Sequence, residues 1–219
     1  MRIHLKTNSI NEKVPFNYQP KLTGTLHKWL GNNTVHDSLS LYSFSWLKGG
    51  AADREGLSFR NGANWFISAH SAEAMKNLIT GIKQSPSIAY DLTVTEIVIE
   101  EDPLITSRVK QFECASPVLI KRTVDKKTIH YTYDQLESDN FMTETLTNKL
   151  KLAGLDFNGV KVSFNRQYKG AKTKVIHYNN IGNKSNICPV IVEGTPEQLS
   201  FAWNVGVGNS TGIGFGALN

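Results

Sequence analysis

Five glycines fall within eleven residues near the end of the chain: Gly206, Gly208, Gly212, Gly214 and Gly216. Ordered glycine costs conformational entropy, so such a cluster implies backbone at positive φ or backbone lying close against something large. Val207, Ile213 and Phe215 alternate between the glycines as in a strand, so the tail is not a loose Gly/Ser linker. No GK[ST] follows the glycines, which removes a P-loop. No helix follows either, which removes a dinucleotide fingerprint. A glycine-rich loop with backbone amides facing a phosphate chain fits what is left. A tight turn into a closing strand is the plainer alternative.

Charge points the same way. Lys plus Arg is 24 and Asp plus Glu 19, a net charge of +5. The excess is concentrated: Lys149, Lys151, Lys161, Arg166, Lys169, Lys172, Lys174 and Lys184 face a single acid, Asp156, within one stretch. A solvated surface would mix the signs, so this segment suits a polyanion. Cys114 and Cys188 have no ligand neighbours at metal-binding spacing and read as buried free thiols of a reducing cytosol. No signal-peptide core or membrane-spanning run is apparent, so a cytoplasmic protein without membrane contact is expected.

Apolar periodicity gives the order of elements. Arg2 to Thr7 alternates as a strand, and Leu22, Leu26, Trp29 and Leu30 recur at helical spacing up to Gly31. Leu39 to Leu47 and Trp65 to Ala69 read as strands, Ser71 caps a helix to about Lys83, and Leu92 to Ile99 is a further strand. Pro103 then marks a boundary. Beyond it come a hairpin around Asp125-Lys126, a helix near Asn140 to Ala153, and strands near Val160 to Phe164, Thr173 to Tyr178 and Cys188 to Val192. Thr195-Pro196-Glu197-Gln198 opens a last helix, and the glycine tail supplies the final strand. The fold class is α+β: tandem ferredoxin-like (RRM-like) βαββαβ units over residues 1–103 and 104–219, with a C-terminal glycine-rich loop.

These features resemble the CRISPR-associated endoribonucleases of the repeat-associated RNA-binding (RAMP) superfamily, which cut precursor CRISPR RNA within its repeats. The family's motif of G-x-G, five residues and G-x-G is met by Gly206-Val207-Gly208, Asn209 to Ile213, and Gly214-Phe215-Gly216. Val14-Pro15-Phe16-Asn17-Tyr18-Gln19, leading into Leu22 to Leu30 and then a histidine-bearing loop before Leu41 to Ser45, is similar to the family's N-terminal half.

The resemblance implies cleavage without metal or other cofactor, by attack of a ribose 2′-hydroxyl on the adjacent phosphate. The products would be a 2′,3′-cyclic phosphate and a 5′-hydroxyl. Histidine suits both proton transfers. His36, in the polar segment between the first helix and the next strand, stands where the family carries its catalytic histidine. His27 on the preceding helix is the partner candidate. The family's lysine shortly after the loop histidine is missing, and Lys28 or Lys48 are the substitutes at hand. Tyr42 reads as core or stacking. His4, His70, His130 and His177 read as structural strand residues. Lys169 to Lys174 reads as a basic hairpin tip that, with Arg166 and the five glycines, would engage CRISPR repeat RNA through its phosphates. Two other readings stay open: a non-catalytic RNA-holding subunit among the proteins of a CRISPR effector complex, and a phosphoesterase using His36-Asp37-Ser38 and His130-Tyr131-Thr132. Self-pairing into a homodimer is left open as well.

Overall fold

The computed structural model describes residues 1–31 and 39–219. The first unit runs β1 (Arg2–Thr7), β2 (Lys13–Val14), α1 (Gln19–Leu30), β3 (Tyr42–Phe44), β4 (Ala51–Ala52), β5 (Leu57–Ser58), β6 (Asn64–Ala69), α2 (Ala72–Gln84) and β7 (Val94–Glu100). Its antiparallel sheet has the order β3-β6-β1-β7, and β2, β5 and β4 form a small separate sheet. Ser71 caps α2 by accepting from the Ala74 amide at 3.3 Å. Leu22, Leu26 and Trp29 of α1 and Met75, Leu78 and Ile82 of α2 are buried in one cluster with the sheet. Trp65 anchors that cluster, with ring centroids 5.7 Å from both Trp29 and Phe44. Burying each large apolar side chain contributes roughly 1.5–3 kcal/mol.

The second unit runs β8 (Val109–Phe112), β9 (Lys121–Val124), β10 (Lys127–His130), α3 (Glu137–Leu152), β11 (Lys161–Phe164), β12 (Lys172–Tyr178), β13 (Ile181–Ile187), β14 (Val190–Glu193) and α4 (Pro196–Val205). Its sheet has the order β11-β14-β8. A lone bridge from Cys114 to Leu218 continues it. The tail thus lies where the last strand of a ferredoxin-like unit would, and the two units repeat one strand order. Thr195 and Gln198 close a full capping box on α4.

Three expectations need correction. The glycine tail is not a strand: Gly206, Gly208, Gly214 and Gly216 all have positive φ, and a 3-10 turn spans Thr211–Ile213. The Leu39 to Leu47 strand shrinks to Tyr42–Phe44. Lys169 to Lys174 is not a hairpin tip. The hairpin is β12 with β13, and its tip is Asn179-Asn180, at φ 47° and 65°. That pair is the left-handed two-residue turn that hairpins favour. β13 carried no apolar signal because its buried positions are polar, Asn183, Ser185 and Asn186.

Polar and cationic contacts join the two units. The Arg2 guanidinium stacks between Phe66 and Trp203, 3.8 and 3.6 Å from their centroids. It donates to the Leu218 carbonyl at 2.6 Å. Burial pushes Arg2 down to about 9, well inside the range where it stays charged at neutral pH. The Ser43 hydroxyl donates to the Asn204 carbonyl at 2.9 Å, and the N-terminal ammonium meets Asp102 and Asn204.

Candidate active site

His27 sits on α1 at the edge of the stripe formed by Leu22, Leu26 and Trp29, so its ring leaves the core instead of joining it. Its Nε2 lies 3.0 Å from the phenol oxygen of Tyr42, the first residue of β3. Burial raises the Tyr42 pKa, although a hydrogen bond from Ser40 partly opposes this. The phenol is therefore neutral at physiological pH and fixes the imidazole by hydrogen bonding alone.

The glycine tail closes over this pair. A Cβ placed on Gly212 would collide with the Ser40 hydroxyl and stand 3.0 Å from Tyr42 Oη, so only glycine allows Thr211-Gly212 to reach the site. All five glycines of the tail are buried. The large body they approach is the chain itself: a Cβ on Gly208 would meet the Leu119 carbonyl at 2.6 Å, one on Gly214 the Phe44 ring at 2.9 Å, and one on Gly216 would overlap the Val207 carbonyl.

Beneath the loop lies a residue the sequence reading assigned to a basic surface. Lys149 is 2% exposed. Its ammonium donates to Thr211 Oγ1 and the Val205 carbonyl at 2.8 Å each, and to the Gly206 carbonyl at 3.4 Å. Burial pushes it down to about 7. A run of charges in sequence cannot reveal that one of them is turned inward on a helix, and three acceptors account for it here.

The remaining sequence candidates fall as follows. His36 lies outside the described residues, as do Asp37 and Ser38. Its segment is bounded by Gly31, whose amide donates to the His27 carbonyl at 3.1 Å, and by Leu39 and Ser40, the latter packed at Gly212. Lys28 donates to Ser85 Oγ at 2.8 Å on the α2 side. Lys48 bridges Asn64 at the far end of the sheet. Arg166 is committed to Asp139 at 2.6 Å and the Gln135 carbonyl at 2.9 Å. Lys169 lies in the turn before β12, and Lys172 and Lys174 are exposed on β12 itself, with Lys174 5.4 Å over the Trp46 ring. His4, His130 and His177 lie in strands, while His70 follows the end of β6. The Thr132 hydroxyl and amide both donate to Gln135 Oε1 at the entry to α3. Both cysteines are free, and burial pushes Cys114 up to about 12 and Cys188 to about 11. Among the described residues no group of three or more His, Cys, Asp or Glu is placed to hold a metal, and no helix is long and apolar enough to cross a membrane.

Residues 99–219 match the family model described as CRISPR associated protein Cas6, C-terminal, which is more than half of the chain. The chain belongs to the CRISPR-associated Cas6 family. No curated protein matched it. Among solved structures, one titled CRISPR associated protein Cas6 superposes with a TM-score of 0.83 at 18% identity, covering 100% of this chain and 98% of that one. A Cas6-related protein from Pyrococcus furiosus gives the same score and identity, covering 100% and 97%. A Cas6 product complex gives 0.67 at 10% identity, covering 99% and 98%. At these identities the likeness establishes the Cas6 fold: tandem ferredoxin-like units spanning the whole chain.

Proposed function

We propose that this Cas6-family chain is an endoribonuclease that cuts CRISPR repeat RNA by attack of a ribose 2′-hydroxyl on the adjacent phosphate, without metal. The observation that carries the reading is a convergence. The His27–Tyr42 pair, both flanks of the segment that holds His36, and the Thr211-Gly212 turn meet at the joint between α1, β3 and the glycine loop.

His36 and His27 divide the roles of base toward the 2′-hydroxyl and acid toward the leaving 5′-oxygen, since imidazole exchanges protons near neutrality. Tyr42 holds the His27 ring in one orientation. Lys149 holds Thr211 and Gly206 from beneath, and so fixes the loop backbone that would face the phosphate. Lys169, Lys172 and Lys174 draw and position the RNA through its phosphates. Arg166 reaches RNA only by leaving Asp139. The tail glycines contribute by letting backbone come close. In the same proposal residues 1–103 carry the proton-transfer groups, and residues 104–219 the basic hairpin and the loop.

Single-turnover cleavage of a repeat RNA by wild type, His27→Ala and His36→Ala tests this. Losses of roughly 10²–10⁴ in rate with RNA affinity retained are expected for both variants. Tight RNA binding without cleavage by the wild type would favour a non-catalytic RNA-holding subunit.

A further inference from the structure

An open cavity of about 450 Å³ lies between the β9–β10 hairpin and α3. That size falls within the usual range of ligand sites, about 300–1,000 Å³. Three chain segments lead from the histidine centre into its wall. Leu39 precedes the Ser40 packed at Gly212, Asn209 stands two residues before Thr211, and Asn148 precedes Lys149. The hairpin is fixed to the glycine tail at the same place. The Asn209 amide donates to the Leu119 carbonyl at 2.7 Å, and Asn209 Oδ1 accepts from the Lys121 amide at 2.9 Å and from Arg122 Nη1 at 3.3 Å.

The observation that points to a ligand is unspent donor capacity on this wall. Lys121, Thr123 and Thr128 share one face of the ribbon, because strand residues alternate and Thr128 pairs with Thr123. All three line the cavity. The half-buried Lys121 has no hydrogen bond or ion pair from its ammonium among the described residues. Asn209 spends its Oδ1 on the hairpin and leaves its Nδ2 without a partner there. The acid on the facing wall, Glu144, is already neutralised by Arg122 at 2.7 Å. An uncompensated ammonium beside an amide donor suits a phosphate oxygen. Lys126 and Lys127 carry positive charge on past the cavity to the hairpin tip, against the single acid Asp125.

We propose that this cavity holds the phosphate of a ribonucleotide adjoining the scissile one, with Lys121 Nζ and Asn209 Nδ2 on its non-bridging oxygens, so that the strand runs from the histidine centre along the β9–β10 hairpin. The inference rests on the RNA-cleaving reading above and adds a subsite to it. A contact to phosphate carries no sequence information. The subsite therefore sets the register of the strand at the histidines, not the choice of base.

The test is a neutral-linkage scan of a repeat RNA whose scissile nucleotide is 2′-deoxy, so that binding is read without cleavage. A methylphosphonate replaces one phosphate at a time, each beside a 2′-deoxy sugar that protects it from attack. The same deoxy strand with an ordinary phosphate is the reference. In wild type, a neutral linkage next to the scissile phosphate, or one removed from it, should weaken binding about tenfold, the worth of one charge-assisted hydrogen bond. In Lys121→Met that linkage should lose its effect while the other linkages keep theirs. Asn209→Asp keeps an acceptor for Lys121 and Arg122 and replaces only the Nδ2 donor. It should melt as wild type does and bind the all-phosphate strand about tenfold more weakly. If every linkage keeps its full effect in Lys121→Met, or if Asn209→Asp binds as wild type does, the subsite is overturned and the RNA reading stands. Failure of wild type to bind the repeat RNA at all would overturn both.

Discussion

His27 Nε2 and Tyr42 Oη stand 3.0 Å apart across the joint between α1 and β3, a hydrogen bond that ties a candidate proton-transfer group to the sheet. Tyr42→Phe keeps the ring and its packing and removes only the hydroxyl. Single-turnover cleavage is expected to slow about tenfold, with the thermal melt little changed and RNA affinity intact. His27→Ala should cost more, roughly 10²–10⁴. Equal rates for Tyr42→Phe and wild type would show that the phenol does not position the imidazole.

Gly212 and Gly216 separate two reasons for glycine. A methyl group on Gly212 presses on Ser40 and Tyr42, so Gly212→Ala should reduce cleavage more than stability. Gly216 has φ +63° and its Cβ would overlap the Val207 carbonyl. Gly216→Ala should therefore lower folding stability by about 1–3 kcal/mol or more. Paired melts and cleavage rates distinguish the two.

Lys149 makes stability depend on pH in a definite sense. Its folded pKa lies near 7, below the 10.5 of an exposed lysine. Between those values the unfolded chain holds more protons than the folded one, so the contribution of Lys149 to stability rises with pH. Lys149→Met should be destabilised overall, because it leaves the Val205 and Gly206 carbonyls and the Thr211 hydroxyl without this donor. Urea titrations should show its deficit against wild type to be larger at pH 9.5 than at pH 6.5. A deficit that shrinks over that interval would contradict the buried environment of the ammonium.

Replacing Lys169, Lys172 and Lys174 together by alanine should weaken RNA binding irrespective of sequence. The log–log salt slope should fall by about 0.7–0.9 per lost phosphate contact. Arg166→Ala serves as the contrast. It breaks the Asp139 ion pair, so its effect should fall on stability, and the salt slope should stay near wild type.

The sequence reveals the repeated strand–helix order, the capped helices and the glycine requirement, because each is written in local periodicity or in one residue's backbone range. Thr195 and Gln198 announce their capping box three residues apart. The glycine tail was harder. Val207, Ile213 and Phe215 alternate as a strand would, yet four positive-φ glycines bend the chain into turns whose partners, such as Phe44 and Leu119, are far away in sequence. Lys149 and Tyr42 are legible only in three dimensions. One hides among surface lysines and the other among core aromatics, and what marks each is a partner distant in sequence.

The most direct measurement is single-turnover cleavage of a repeat RNA in excess chelator, run on an all-ribose strand and on one carrying a single 2′-deoxy residue at the scissile nucleotide. The account predicts full-rate cleavage of the first, leaving a 2′,3′-cyclic phosphate, and none of the second. Cleavage of the deoxy strand, or loss of cleavage on adding chelator, would contradict it.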